Sequence, residues 1–371
     1  MSALQQLRGN RKTQALLIGG IILIMGVVSS FSLTFNADAQ NPYAIMHQTL
    51  LSGDSTLIQA LVYTPIDTSI NRPGVIVGHG FCENKEWMQP LSIELVKRGF
   101  VVVNIDFRGH GSSDGYLGAL GQDNGLVLDM LSGVQYLDDL GFVDRIGLVG
   151  HSMGGATSML TALQNPMKIN ATVTIGALST FTSYSNVSAV PNLLAVFSQY
   201  DQGINREDGL SFLKSYTGRE DVEIGTVYGD FNNGNATKVS ISPNSEHLFE
   251  PVDSVIIYET VQWFEYAFNG APATDVNITA QFLMISLAAS LVGILLVLFV
   301  FASYLGNYIF KGGQVHPQGA SENSKLPLKE ILGYLIAAFI GFFLMIPFSA
   351  LFTDVAPITM FNSVFGGQAV G

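Results

Sequence analysis

The sequence predicts an α/β protein, with a mostly parallel sheet carrying helices on both faces, joined to about three transmembrane helices. Two observations lead to this prediction. Between residues 50 and 270, short β-rich runs alternate with stretches whose apolar residues recur at helical spacing. Outside that interval three apolar runs each exceed 20 residues, and the whole chain combines a mean hydropathy of +0.36 with only 12% charged residues. Runs of that length can cross a bilayer as helices.

The β-rich runs and the helical stretches follow one another in the order that a parallel sheet requires. The run at 100–106 is apolar on both faces, which is typical of a buried central strand. The other predicted strands are 57–63, 73–78, 145–150, 171–175, 192–197 and one between 222 and 241. The predicted helices are 85–98, 125–139, 154–164, 206–216 and 251–268.

Three uncharged runs predict membrane helices. The first covers residues 13–37, and the other two predicted spans are about 280–305 and 331–353. Runs of more than about 18 apolar residues are rare in soluble cores, so all three are interpreted as spans. The first run also fits a cleavable signal peptide, because three basic residues precede it and small residues follow.

The three runs divide the chain into residues 1–35, a signal anchor or signal peptide, residues 36–278, the α/β domain, and residues 279–371, a membrane region with two spans. Basic residues precede the first span and occupy the loop between the last two, which marks the cytoplasmic side. We therefore expect a multi-pass membrane protein with an extracytoplasmic α/β domain. That domain holds 26 of the 29 acidic and 11 of the 17 basic residues, so nucleic acid is excluded as a partner.

A glycine-rich turn carries the strongest chemical signal. Gly150-His-Ser-Met-Gly154 follows an apolar strand and opens a helix, and in that context a G-x-S-x-G match predicts a nucleophilic serine. The sharp turn projects Ser152 above the sheet, and the helix N-terminus offers free N–H groups to a developing oxyanion. Taken alone, the pentapeptide also fits a turn in a non-catalytic α/β protein.

Two further motifs reduce that alternative. His79-Gly80 follows one strand, and Asp106-Phe-Arg-Gly-His-Gly-Ser-Ser-Asp114 follows the central strand. With these motifs, residues 50–270 resemble the α/β-hydrolase superfamily, in particular esterases, monoacylglycerol-lipase-like and dienelactone-hydrolase-like enzymes. The resemblance implies the α/β-hydrolase fold, with oxyanion-hole N–H groups from Phe81 and Met153. No cofactor and no metal is expected, since no cluster shows ligand spacing.

The superfamily order of Ser, acid and His selects the two partners of the serine. Asp201 follows an apolar strand, and His247 lies just before the final helix. Asp208 and Asp230 are rivals for the acid, but only Asp201 directly terminates an apolar strand. Within the α/β domain, His247 is the one histidine that follows both Ser152 and Asp201.

The expected activity is that of a membrane-anchored serine hydrolase that cleaves carboxylic esters, either small molecules or lipids. His247 would deprotonate Ser152, Asp201 would orient the imidazole, and water would release the acyl-enzyme. Two alternatives stay open. One is a serine peptidase with the same machinery, and the other is a non-catalytic sensor or transport accessory that keeps only the fold.

The other residues near these motifs are expected to have structural roles. His79 and His110 should bond loop backbones, and His151 should shape the pocket rather than act as a base. Cys82 is the only cysteine of the chain and is expected to pack as a small apolar side chain.

Overall fold

The computed structural model describes residues 11–35, 42–118, 124–179, 187–274 and 277–309. The described chain falls into two compact units, one containing residues 11–32 and 284–309 and the other lying within residues 33–283. The third expected span, 331–353, lies outside the described residues.

The larger unit is built on a single eight-stranded sheet. Its strands lie in the order β1-β2-β4-β3-β5-β6-β7-β8. The pairs β1–β2 and β2–β4 are antiparallel, and the remaining neighbours are parallel. The strands are β1 (Tyr43–Leu51), β2 (Leu57–Pro65), β3 (Arg72–Gly78), β4 (Val101–Ile105), β5 (Val143–His151), β6 (Ala171–Ile175), β7 (Leu193–Ser198) and β8 (Thr237–Ser242).

Helices accompany the parallel strands, and two further long helices lie towards the ends of the described chain. The α-helices are α1 (Arg11–Phe35), α2 (Gln89–Val96), α3 (Gly125–Asp139), α4 (Met153–Gln164), α5 (Arg206–Thr217), α6 (Ser254–Asn269) and α7 (Phe282–Ile309). Short 3₁₀ turns cover Val187–Ala189, Phe231–Asn233 and His247–Val252.

Both faces of the sheet are buried, and β4 shows why. All five of its residues are buried. Val101 and Val103 pack in one apolar cluster with α3, whereas Val102 packs in the other with α2 and α6. Successive side chains of a strand point to opposite faces, so a strand covered on both sides must be apolar throughout. The predicted α/β fold is confirmed.

Three elements differ from the sequence-based expectation, and the first is α2, which covers Gln89–Val96 rather than residues 85–98. Strand β1 was not predicted, because it lies at the sheet edge and most of its residues are partly or fully exposed. Helix α6 begins at Ser254 rather than at residue 251, because Asp253 accepts hydrogen bonds from the N–H groups of Val255 (2.8 Å) and Ile256 (3.1 Å). An Asp in this position fixes the first turn of a helix.

The smaller unit contains α1 and most of α7. Both helices are long and apolar enough to cross a membrane, over Lys12–Thr34 and Phe282–Leu305. They pack closely at small residues: a Cβ added to Gly26 would lie 2.4 Å from Ser290 Oγ, and one added to Gly293 would lie 2.4 Å from the backbone nitrogen of Leu23. Glycines at such crossings let helix backbones approach each other within lipid.

Candidate active site

Ser152 occupies a strained turn between β5 and α4. Its backbone angles are φ 51° and ψ −113°, a conformation that residues other than glycine rarely adopt. The Ser152 N–H donates to the carbonyl of Ile175 (2.7 Å), and its carbonyl accepts from Ala156 (3.0 Å). A Cβ added to Gly154 would lie 2.4 Å from the carbonyl oxygen of Gly78, so the turn admits no side chain there. Strain of this kind is concentrated at functional sites.

The structure brings together the three residues selected from chain order. His247 Nε2 lies 3.0 Å from Ser152 Oγ, and His247 Nδ1 lies 2.7 Å from Asp201 Oδ2. Asp201 follows β7 by three residues, and its other oxygen accepts hydrogen bonds from the N–H groups of Gly203 (2.6 Å) and Ile204 (3.0 Å). The serine, the histidine and the carboxylate therefore form one hydrogen-bonded chain.

The two ionisable groups of this chain have shifted pKa values. Burial opposes ionisation of Asp201, but the hydrogen bond from His247 and those from the backbone hold the Asp201 pKa below its usual value. The hydrogen bond to Asp201 raises the pKa of His247, against burial and the neighbouring His151. Asp201 thus stays ionised at neutral pH and stabilises the protonated imidazole.

The rival acids lie in other roles. Asp208 completes a capping box at the start of α5, where its Oδ2 accepts the N–H of Asn205 (2.9 Å). Asp230 caps a 3₁₀ turn by accepting the N–H of Asn232 (2.7 Å). Both carboxylates satisfy orphan N–H groups at the start of helical segments.

The loop after β3 is fixed by two histidines. His79 Nε2 accepts the N–H of Phe107 (3.0 Å), and its Nδ1 lies 2.7 Å from the carbonyl oxygen of Gly80. His110 Nε2 lies 2.6 Å from the carbonyl oxygen of Phe81. Burial lowers the pKa of His79 to about 4, so this ring is neutral at physiological pH. The expectation that both histidines bond loop backbones is confirmed.

The two expected oxyanion donors lie at the start of α4 and in the loop after β3. Met153 is the first residue of α4, a position whose N–H has no acceptor within the helix. Phe81 follows Gly80, whose own N–H donates to Glu83 Oε2 (2.6 Å). A Cβ added to Gly154 would lie 2.4 Å from the carbonyl oxygen of Gly78, so the start of α4 lies close to the end of β3.

Two buried glutamates that the sequence analysis missed surround His151. Its Nδ1 lies 2.8 Å from Glu83 Oε1 and its Nε2 lies 3.4 Å from Glu250 Oε2, although neither contact has the alignment of a hydrogen bond. Burial disfavours the charged ring, but the two carboxylates outweigh it and raise the pKa of His151 to about 9. Glu250 follows His247 by three residues, and this short spacing is the sequence signal that could have identified Glu250 as a site residue.

The same region holds the ligand-type atoms of His151, His247 and Glu250, which lie within 4.8 Å of one another. However, both ring nitrogens of His247 are already engaged, one by Asp201 and one by Ser152. The arrangement fits an ion cluster better than a set of metal ligands.

Exposed apolar side chains occur in the loop after β3 and directly after His247. Phe81, Leu248 and Phe249 are each about half exposed. Trp87 holds the Leu248 carbonyl through its indole N–H (3.2 Å), and its ring lies 6.3 Å from that of Phe249. Cys82 is exposed as well, so the expectation that it packs as a small apolar residue is wrong.

Comparisons with known proteins find similarity to hydrolases. A family model described as "Serine aminopeptidase, S33" matches residues 70–203. The sn-1-specific diacylglycerol lipase ABHD11 of Mus musculus is 36% identical over 120 residues, which cover 31% of this chain and 36% of the mouse protein. The protein of the same name from Xenopus laevis is 31% identical over 124 residues, covering 33% and 37%. The matches thus span little more than a third of these relatives.

Solved structures with a similar fold include two esterases. The Pyrococcus furiosus esterase Pf2001 is 18% identical and covers 60% of this chain and 91% of its own, with a TM-score of 0.46. Est1E from Butyrivibrio proteoclasticus, solved with ferulic acid, is 19% identical and covers 59% and 99%, with a TM-score of 0.44. The sheet of the present chain, its strained strand-to-helix turn and the family match over residues 70–203 show an α/β-hydrolase fold.

Proposed function

We propose that this protein is a membrane-anchored serine hydrolase that cleaves carboxylic esters through Ser152, His247 and Asp201. The observation that carries the proposal is the continuous chain from Ser152 Oγ to His247 (3.0 Å) and from His247 to Asp201 (2.7 Å). A serine with a hydrogen-bonded base, which a buried carboxylate orients in turn, is the arrangement that nucleophilic acyl transfer requires.

In the proposed mechanism, neutral His247 takes the proton of Ser152 as Oγ forms a bond to the ester carbonyl carbon. The backbone N–H groups of Phe81 and Met153 stabilise the oxyanion, and Asp201 stabilises the imidazolium. His247 then returns the proton to the departing alkoxide, leaving an acyl-enzyme. Water attacks that intermediate with the help of His247, releasing the acid and restoring Ser152.

Half-exposed apolar side chains in the loop after β3 and directly after His247 support an ester with an apolar portion. Phe81, Leu248 and Phe249 present apolar surface, which gains free energy when a hydrocarbon chain covers it. Two of the related proteins are named diacylglycerol lipases. We therefore propose apolar carboxylic esters, including lipid esters, as the substrate class.

A serine peptidase is the second candidate, because the family model that matches residues 70–203 is described as a serine aminopeptidase. The same nucleophile and base serve both reactions, so the leaving group separates them. Purified full-length protein in detergent should hydrolyse p-nitrophenyl butyrate faster than aminoacyl p-nitroanilides. The opposite preference would favour the peptidase.

A fluorophosphonate probe tests whether the serine is reactive at all. The probe should label the wild-type protein, and peptide mapping should locate the adduct on Ser152, because only a serine activated by a base reacts readily. A folded Ser152→Ala variant is the matched control and should not be labelled. If the wild-type protein resists the probe and hydrolyses no ester, the non-catalytic alternative is correct.

We also propose that α1 and α7 anchor the protein and that the α/β domain lies outside the cytoplasm. The support is the length and apolar composition of both helices and the basic residues before α1. In a Cys82→Ser background, an impermeant maleimide applied to intact cells should label a cysteine at the exposed position Met167 and not one at Ser321. The reverse pattern would place the α/β domain in the cytoplasm.

A further inference from the structure

Glu250 is a fully buried carboxylate that faces two histidines at once. Its Oε1 accepts hydrogen bonds from the N–H (2.6 Å) and the hydroxyl (2.7 Å) of Ser198. Its Oε2 has no aligned hydrogen bond and lies 3.6 Å from His247 Nδ1 and 3.4 Å from His151 Nε2. Oε1 therefore fixes the position of the side chain, and the negative charge on Oε2 lies close to the rings of His247 and His151.

The position of this carboxylate is tightly constrained. Gly176 has a φ of +60°, and a Cβ added there would lie 2.1 Å from Glu250 Oε2 and 2.9 Å from His247 Cε1. The backbone at the end of β6 thus lies directly against both groups. A buried carboxylate is costly unless neighbouring charges or hydrogen bonds compensate for it.

We propose that Glu250 is a positioning residue of the active site, a second carboxylate beside Asp201 that stabilises the His247 imidazolium formed during acyl transfer. This inference depends on the proposed function, because the imidazolium forms only if His247 acts as the base. Asp201 supplies the hydrogen bond at 2.7 Å, and Glu250 adds its charge from 3.6 Å.

The charges around His247 act in opposite directions. Asp201 and Glu250 favour its protonated form, whereas the neighbouring His151, whose ring centroid is 4.8 Å away, disfavours it. His151 in turn faces Glu83 and Glu250. Glu250 therefore affects His247 in two opposite ways. Its charge attracts the His247 imidazolium directly, and it also favours the protonated form of His151, which repels that imidazolium.

Glu83 provides a matched control for these two effects. Glu83→Gln and Glu250→Gln each remove one carboxylate from His151 with little change of shape, but only Glu250 also faces His247. Loss of the Glu250 charge should lower the pKa of His247, because Glu83 still favours the protonated His151 and the direct attraction is what is lost. Loss of the Glu83 charge should leave it unchanged or raise it, because His151 then carries its proton less readily.

The experiment is the pH profile of kcat/KM for p-nitrophenyl butyrate, measured on the full chain in detergent. The acidic limb of this profile reports the pKa of the catalytic base in the free enzyme. We expect Glu250→Gln to move this limb down by about 1 pH unit and to lower kcat about tenfold. Glu83→Gln should not move it down. An unchanged limb in Glu250→Gln, or the same downward shift in both variants, would overturn the inference.

A second variant keeps the inference testable if Glu250→Gln does not fold. His151→Gln removes the opposing cation while Glu250 remains, so the acidic limb should move to higher pH, and an unchanged limb would contradict the role of this cluster. Wild-type activity separates the two proposals: an inactive wild-type protein refutes the proposed function, whereas an active one with an unresponsive limb refutes only the role of Glu250.

Discussion

His79, which directly follows β3, and His151, the last residue of β5, are both buried, yet their charge states differ. Both ring nitrogens of His79 pair with backbone groups, and burial lowers its pKa to about 4. Two carboxylates lie against His151, and they raise its pKa to about 9 despite burial. His79 Nε2 accepts an N–H and must lack a proton, so His79 serves as a neutral structural link. His151 has no such acceptor role.

The difference shows that burial alone does not fix the charge of a histidine. Burial lowers the pKa of both rings, and only the identity of the partners reverses that effect at His151. His247 differs from both rings, because it is partly exposed and its hydrogen bond to Asp201 raises its pKa. A partly exposed histidine with one hydrogen-bonded carboxylate is well suited to taking up and releasing a proton during a reaction.

The largest expected effect separates His247 from the two buried histidines. His247→Ala should lower the rate of ester hydrolysis on the order of a millionfold, because the serine loses its base. Folded His79→Gln should lose far less, since His79 does not contact Ser152. Steady-state hydrolysis of p-nitrophenyl butyrate measures both. Equal losses of activity in the two folded variants would contradict the different roles of His247 and His79.

The next effect concerns the carboxylate that orients His247. Asp201→Asn should lower kcat on the order of 10⁴-fold, because the amide no longer favours the required tautomer or the imidazolium. Asp208→Asn is the matched control and should leave kcat nearly unchanged, since Asp208 only caps α5. If Asp208→Asn proves the more damaging change, the assignment of the acid is wrong.

The smallest effect is on the pH dependence of stability, and it has opposite signs for the two buried histidines. Relative to an unfolded value of 6.5, His79 destabilises the fold as the pH falls from 6.5 through 4, because the unfolded chain binds the proton more tightly. His151 stabilises the fold below pH 6.5, and that contribution is lost as the pH rises through 9.

Each slope amounts to at most about 1.4 kcal/mol per pH unit. Urea unfolding of the full chain in detergent, followed across pH 5 to 9, should show a flatter acidic side in His79→Gln and a flatter alkaline side in His151→Gln. Flattening on the same side in both variants would contradict the opposite charge states.

The sequence determined most of the fold and the three candidate site residues. Alternating β-rich and helical runs predicted the parallel strands, because a strand buried on both faces must be apolar throughout, as β4 is. The Gly150–Gly154 motif identified Ser152, and chain order selected Asp201 and His247. The strand pattern and the glycine-rich motif are local signals, whereas the chain order that selected Asp201 and His247 is what the resemblance to the superfamily implies.

Only the tertiary structure revealed Glu83, Glu250 and the charge of His151. Glu83 lies 68 residues before His151 in the chain, and Glu250 lies 99 residues after it, yet both carboxylates contact the same ring. The edge strand β1 was also decided at this level. Its mostly exposed residues do not predict a strand, and its pairing with β2 stabilises it. A pKa depends on burial and on the charges within a few ångströms, and long-range packing sets both.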